Sequence, residues 1–211
     1  MAGTVMDEEL SRAYYLMNEE LFRKGEWHRE LESLKLDFKG RTVLDLAAGT
    51  GHWEEVFLSL GAGKVIWQDL SQYFFRKAAE RMQGYNNVEF LLGDMTFIPM
   101  DDESVDFVMC RDSLYHSPDE NKTLSEVYRV LKKEGHFYLS FRNWRRIFRE
   151  PFTWKSPLKL LAPHFYRITG KKTIPTVFVL EAPVLSLLGK YGFRIEKMSR
   201  EDSVSSILAS K

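Results

Sequence analysis

Three aspartates, each at or near the end of a short apolar segment, are the residues whose types and spacing could do chemistry. Asp45 stands just before a turn of small residues that contains Gly49 and Gly51. Asp69 ends the next apolar segment, about 20 residues past the turn, where an acid can accept hydrogen bonds from ribose hydroxyls. Asp94 follows the third segment. If the segment ends meet, the three acids outline a ligand with an amine, a ribose and a base.

The glycine turn narrows the choice of ligand. Gly49 and Gly51 permit close backbone approach, and a helix opening after them offers N–H groups to a ligand. A dinucleotide-binding turn fits poorly, because its third small residue would be Glu54. A carboxylate at Asp45 would also oppose a pyrophosphate but suit an ammonium group. Each acid alone could equally cap a turn or a helix, so the ligand interpretation depends on their falling at adjacent strand ends.

The elements that must position these residues alternate between strands and helices. Short apolar segments predict strands, and helical patterns lie between them; the predicted strands are 42–46, 64–68, 88–92, 105–110 and 136–141, and the predicted helices are 73–82 and 121–131. Such alternation favours an α/β fold with a doubly wound, mostly parallel sheet, whose ligands bind at the carboxyl ends of the strands. The strand segments are almost continuously apolar, which is typical of a sheet covered on both faces.

The flanking regions complete a single domain over 1–211. Residues 1–39 are predicted as an N-terminal helical cap, with one or two helices over 6–36 interrupted at Gly25. A helix over 181–191 and strands over 193–198 and 204–209 close a seven-stranded sheet. The segment 142–176 interrupts the alternation and is predicted to be an insertion after the fifth strand, over the ligand edge.

Composition excludes several classes of protein. The 211 residues carry 30 basic and 30 acidic side chains, and 44% are hydrophobic, as in ordinary globular domains. One cysteine, Cys110, cannot form an internal disulfide or a zinc-ribbon site. No cluster has convincing metal-ligand spacing, so no metal is expected. The N-terminal sequence has no signal-peptide pattern and no segment is apolar over a membrane's width, so we expect a cytoplasmic location.

The segment Val43–Gly51 resembles the first motif of the class I S-adenosylmethionine (SAM) dependent methyltransferases of the small single-domain type. The resemblance covers roughly residues 40–141, and Ala47 stands where the family motif has its first glycine. It implies the class I methyltransferase fold, SAM as cofactor and methyl transfer as the activity.

The resemblance also implies roles for individual residues. Asp45 and the Gly49–Gly51 turn would face the methionine part of SAM, and Ala47 would also contribute to cofactor binding. Asp69, with Leu70 beside it, would hold the ribose hydroxyls. Asp94 would accept a hydrogen bond from the adenine amino group, and Met95 would flank the ring.

His116, in the loop after the fourth predicted strand, is the candidate catalytic base. Related enzymes often have a histidine in this loop, although a lone histidine can equally be structural. Arg111 leaves the end of the same strand and is expected to line the pocket. Tyr15, or its neighbour Tyr14, is expected to reach the cofactor from the N-terminal helices, the alternative being ordinary packing of an amphipathic helix.

The basic segment bears on the methyl acceptor. Residues 142–172 contain nine Lys and Arg and one acid, Glu150, and aromatic side chains lie among them. Such a surface favours a small anionic or partly apolar acceptor. A lipid or quinone at an anionic membrane and RNA are the alternatives for a partner, and a solvated basic face is the structural one. A protein that binds SAM without catalysis also remains open, as does the oligomeric state.

Overall fold

The computed structural model of the chain describes residues 7–143, 180–201 and 204–211. Apart from Arg142 and Asn143, the predicted insertion at 142–176 lies outside these residues.

The described strands form one mixed sheet. Their bounds are β1 Thr42–Leu46, β2 Lys64–Asp69, β3 Val88–Leu92, β4 Val105–Arg111, β5 Leu131–Arg142, β6 Arg194–Glu201 and β7 Val204–Ser210. Their order in the sheet is β3-β2-β1-β4-β5-β7-β6. The first five strands run parallel, and β7 lies antiparallel between β5 and β6. The predicted doubly wound, mostly parallel seven-stranded sheet is therefore confirmed.

The described helices cover both faces of this sheet. Their bounds are α1 Glu8–Arg23, α2 Glu26–Glu32, α3 His52–Ser59, α4 Gln72–Arg81, α5 Glu120–Val130 and α6 Glu181–Lys190, with a single 3₁₀ turn at Leu114–His116. Gly25, in the left-handed region at φ +67°, separates α1 from α2 as the sequence predicted. The Asp7 carboxylate accepts the Leu10 N–H and caps α1.

The fifth strand begins earlier than predicted. The sequence indicates a helix to residue 131, a turn and then a strand from His136, whereas β5 begins at Leu131 directly after α5. Leu131 pairs with Val105 and His136 pairs with Phe107, so the polar residues between them form a bulge in the ladder. Within it Glu134 takes a left-handed φ of +62°. The sequence predicts a turn here because the side chains of the bulge are polar, whereas the Leu131 side chain enters the core.

Alternate residues of the central strands enter two separate cores. Leu44, Val108 and Leu139 pack with α5 and α6 on one face. Val43, Phe107 and Tyr138 pack with α2 and α3 on the other. Burial on both faces is the reason that the strand segments read as continuously apolar. Cys110 is fully buried in the first core, where it packs as a small hydrophobic side chain.

Gly51, the residue before α3, is fixed by packing against α4. Its φ is +80°, and a Cβ built there would lie 2.8 Å from the Cα of Ala78. No side chain fits between the turn and α4 unless the helix moves. This close approach positions the turn against the sheet.

We expect Gly51→Ala to destabilise the protein by about 3 kcal/mol, since it adds left-handed strain to overpacking against helix backbone. Gly25→Ala is the matched control: its φ is also positive, but a Cβ there meets nothing within 4 Å. The control should cost only about 1 kcal/mol. Urea unfolding of both variants measures the difference, and equal costs would contradict the packing role of Gly51.

Candidate functional site

The turn between β1 and α3 is held in an unusual backbone conformation. Ala47, Gly49 and Gly51 have φ values of +59°, +63° and +80°. Ala47 thus adopts a conformation that favours glycine, at a cost of about 1 kcal/mol for its Cβ. A Cβ on Gly49 would meet only the Tyr14 ring, at 3.9 Å, so the turn stays open beneath that ring.

Asp69 braces this turn from the end of β2. Its Oδ2 accepts the Gly49 N–H at 2.9 Å, and its Oδ1 accepts the Ser71 N–H at 2.8 Å. The cap of α4 is Ser71, whose hydroxyl accepts the Phe74 N–H, so Asp69 is not the helix cap that the sequence left open. Burial raises the pKa of Asp69, and the backbone donors oppose that rise. Each oxygen keeps a lone pair that could accept a ligand hydroxyl.

Asp45 lies under the turn in contact with a second carboxyl group. Asp45 is 2% exposed and Glu54, in the first turn of α3, is 0% exposed. The two side chains are within hydrogen-bonding contact. Burial and mutual repulsion raise the pKa of Asp45 well above its usual range, and burial raises the pKa of Glu54 to about 8. Glu54 is a site residue that was not predicted from the sequence. In the sequence this position stands out only as a mismatch to a dinucleotide-binding motif.

Asp94 lies in the loop after β3, one strand further from the turn. Its Oδ1 accepts the Thr96 N–H at 2.8 Å, which is the local role that the sequence left open. The Gln68 side chain donates to the main-chain oxygens of Asp94 and Phe97, which ties this loop to β2. Met95, which follows Asp94, and Leu70, which follows Asp69, are both half-buried. An electrostatic interaction links Asp45 with Asp69, and the Gln68 side chain joins Asp94 to the end of β2.

The two adjacent tyrosines of α1 face different ways. Tyr14 covers Gly49, and its ring contacts Phe74 at a centroid distance of 5.7 Å. Burial raises the pKa of Tyr14. Tyr15 instead lies beside His52, at 6.1 Å between ring centroids, with the Lys77 ammonium 5.6 Å from its ring. The structure therefore brings Tyr14 to the turn, whereas Tyr15 lies toward α4.

Arg111, predicted to line the pocket, is engaged by the N-terminal cap. Its Nε lies 3.2 Å from both carboxylate oxygens of Glu30 in α2. The Tyr138 hydroxyl donates to the same carboxylate at 2.7 Å. The Arg111 guanidinium also lies 5.1 Å from the Trp53 ring centre. This side chain therefore ties the cap to the end of β4, an interaction that sequence spacing cannot reveal.

His116 lies in the 3₁₀ turn after β4. Its ring packs on Tyr115 at a centroid distance of 4.3 Å. The Tyr115 hydroxyl donates to Asp112, which also accepts the Arg142 Nε at 2.9 Å. Burial lowers the pKa of His116 from 6.5, against a smaller opposing effect of Asp112. The imidazole is therefore mostly neutral at pH 7 and can accept a proton.

A second histidine fastens the cap to the turn. His52 is fully buried, and burial lowers its pKa to about 4. Its Nε2 lies 2.8 Å from an Arg81 nitrogen, and Arg81 also pairs with Glu19 of α1 and Glu55 of α3. The same Nε2 lies 3.1 Å from a Glu19 carboxylate oxygen, and Nδ1 lies 2.6 Å from the Thr50 hydroxyl. This neutral histidine is a structural link and is not available as a base.

Comparison with known proteins identifies a methyltransferase domain. A family model described as a methyltransferase domain matches residues 44–139. The demethylmenaquinone methyltransferase of Listeria welshimeri is 29% identical over 163 residues, 72% of this chain and 69% of that protein. A ubiquinone/menaquinone biosynthesis C-methyltransferase of Acidiphilium cryptum is 32% identical over 115 residues, 53% of this chain and 46% of that protein. A solved structure described as a putative SAM-dependent methyltransferase from Methanococcus maripaludis has the same fold, with a TM-score of 0.71 at 17% identity over 100% of this chain and 97% of that one.

The chain is a SAM-dependent methyltransferase with the class I fold. Its cofactor is SAM, and the resemblance stated from the first motif is confirmed. Three observations at the site of this methyltransferase fit that cofactor. They are the orphaned Asp45 Oδ2, the open space above Gly49 and the remaining acceptor capacity of Asp69.

Two absences concern the described residues, 7–143, 180–201 and 204–211. No group of three or more His, Cys, Asp and Glu side chains among them is arranged to hold a metal ion. No helix among them is long and apolar enough to cross a membrane.

We expect Asp69→Asn to weaken SAM binding about 10–100-fold, because the variant loses a charged acceptor for the ligand. The same change leaves one of the two braced N–H groups without a good acceptor, so stability should fall by about 1 kcal/mol. Isothermal calorimetry with SAM measures the affinity. Asp101→Asn, at an exposed position, is the control. Unchanged affinity in Asp69→Asn would remove the ribose role from this residue.

Proposed function

We propose that this methyltransferase transfers the methyl group of SAM to a ring carbon of a quinol, a small, partly apolar aromatic acceptor. The observation that carries the proposal is the similarity to proteins named as demethylmenaquinone and ubiquinone/menaquinone C-methyltransferases, one of which aligns with 72% of the chain. The partly apolar acceptor expected from the aromatic, basic segment is consistent with this class of molecule.

Cofactor binding is assigned to the turn and the two strand ends beside it. Asp45 would attract the ammonium group of SAM, and the turn Ala47–Gly51 would leave room for its amino-acid part. Asp69 would accept the ribose hydroxyls through the lone pairs that its backbone bonds leave. Asp94 and Met95, in the loop after β3, would receive the adenine. SAM supplies a methyl group that is already activated by a sulfonium.

Proton removal is assigned to His116. A methylated ring carbon becomes stable only after the ring system loses a proton, so a base beside the acceptor speeds the reaction. His116 lies in the 3₁₀ turn that follows the carboxyl end of β4, at the same edge of the sheet as the glycine turn. Its lowered pKa leaves the imidazole neutral near pH 7, so the ring can accept a proton. Tyr14 lies over the turn and would help to exclude water from the site.

The acceptor side is assigned to the cap and the basic segment. In this proposal residues 1–211 form one domain, and the cap (1–39) and the basic segment 142–176 recognise the acceptor. Basic and aromatic side chains in that segment would favour a quinol taken from an anionic membrane surface, on the cytoplasmic side. RNA as acceptor is an outcome of the test below.

The acceptor is tested with purified protein, labelled SAM and phosphatidylglycerol vesicles that contain a demethylated naphthoquinol. We expect label in the quinol. The matched control is the same quinol already methylated at the ring carbon, which should stay unlabelled. Parallel reactions contain RNA and carboxylated metabolites. Label in either of these, and none in the quinol, would contradict the proposed acceptor.

His116→Ala should lower kcat for the quinol about 10²–10⁴-fold while leaving SAM affinity unchanged, because a general base contributes on that scale. The wild type should lose activity as the pH falls below 6.5, since protonation through the lowered pKa of His116 removes the base. This acid limb should disappear in the variant. His28→Ala, in α2, is the control. A variant with wild-type kcat would leave His116 as a structural residue.

A further inference from the structure

Two buried carboxyl groups meet beneath the turn without an outside donor. Asp45 comes from β1 and Glu54 from α3, and neither is more than 2% exposed. Among the described residues, Asp45 Oδ2 and both Glu54 carboxylate oxygens have no hydrogen-bond donor from another group. Ionised carboxylates can only accept hydrogen bonds. The contact between the two groups therefore becomes a hydrogen bond only when one of them carries a proton.

The surroundings of the pair favour that proton. Asp69, at the end of β2, adds negative charge to both groups, and Cys110 of β4, within electrostatic range of Asp45, is a neutral thiol. Arg111 is the cation that acts on Asp45, but Glu30 already holds its guanidinium. The first turn of α3 supplies a favourable dipole, which is worth less than the burial of a second charge. At neutral pH the pair consequently retains one proton.

We propose that Glu54 is a positioning residue that holds Asp45 through a shared proton, and that this proton is released when the ammonium group of SAM binds beside Asp45. The inference rests on the placement of the amino-acid part of SAM proposed above and does not depend on the methyl acceptor. Only an O–H bond breaks in this step: the proton passes from the carboxyl pair to solvent, and the ammonium keeps its own protons. A positive charge within about 4–6 Å lowers a carboxyl pKa by 1–3 units, which is sufficient to remove the shared proton from the two carboxyl groups.

Proton release is measured by calorimetric titration with SAM at pH 6.5, where an α-amino group is still charged, in buffers of different ionisation enthalpy. We expect about one proton to be released per SAM bound. The control ligand is 5′-methylthioadenosine, which has the adenine and ribose but no ammonium group. It should bind without releasing a proton. This comparison needs no variant, so it does not depend on the folding of any mutant.

A pair of neighbouring substitutions assigns the proton to Glu54. Glu54→Gln keeps a donor toward Asp45 but has no proton to release, so it should bind SAM with no buffer-dependent enthalpy. Glu55→Gln makes the same chemical change one residue away, at a carboxylate that pairs with Arg81, and should release the proton as the wild type does.

The same proton should appear in the stability of the ligand-free protein. Folding raises the pKa of Glu54 from 4.5 to about 8, so between these values the folded state binds more protons than the unfolded state. The contribution of Glu54 to the free energy of unfolding is therefore fully present below pH 4.5 and is lost as the pH rises toward 8. The unfolding constant should rise with pH by up to about tenfold per unit more in the wild type than in Glu54→Gln.

Three results would overturn the proposal: SAM binding with no proton released, equal release in Glu54→Gln, or equal release on binding of methylthioadenosine. Each would leave the quinol acceptor unaffected. Conversely, a failure to methylate the quinol, with proton release intact, would remove the acceptor alone.

Discussion

Two acidic side chains from neighbouring strand ends, Asp45 and Asp69, lie against the same turn, and the rest of the site is arranged around that concentration of negative charge. Asp69 accepts hydrogen bonds from two backbone N–H groups, which offset the free-energy cost of burying its charge. Asp45 Oδ2 has no such donor among the described residues, and this buried side chain contacts Glu54. The turn therefore opposes anions, although it precedes a helix whose N-terminus would otherwise attract them. A ligand with a sulfonium and an ammonium supplies the missing positive charge, whereas a pyrophosphate would add to the repulsion.

The N-terminal cap controls this balance as well as covering the site. Glu30 of α2 holds the Arg111 guanidinium, with the Tyr138 hydroxyl on the same carboxylate. Arg111 is also the cation whose charge acts on Asp45. By pairing with this guanidinium, Glu30 offsets part of the positive charge that Asp45 would otherwise experience. At the other end of the cap, Glu19 pairs with Arg81 beside His52, so α1 is fastened to both α3 and α4 while Tyr14 lies over Gly49.

The sequence could predict what depends on strand ends and burial, and could not predict what depends on side-chain direction. Strands buried on both faces read as apolar segments, so β1 to β4 were located almost to the residue, and Asp69 followed as a strand-end acid. The start of β5 at Leu131 was missed because a polar bulge has the composition of a turn. The choice between Tyr14 and Tyr15 depended on the rotation of α1 about its axis. Glu54 was missed because an acid in the first turn of a helix is usually solvated, and only the packing of α3 shows that this one is buried.

The loop after β4 is built differently from the turn. Asp112, the residue directly after β4, has a left-handed φ of +53° and accepts hydrogen bonds from the Tyr115 hydroxyl and the Arg142 Nε. Arg142 is the last residue of β5 and the first residue of the basic segment. Its side chain is hydrogen-bonded to Asp112, in the loop that carries His116. An anionic group that drew Arg142 away from Asp112 would also loosen the support of Tyr115, on which the His116 ring packs. The position of His116 is thus linked to Arg142, at the start of the basic segment, while the acids of the turn remain fixed by backbone bonds and burial.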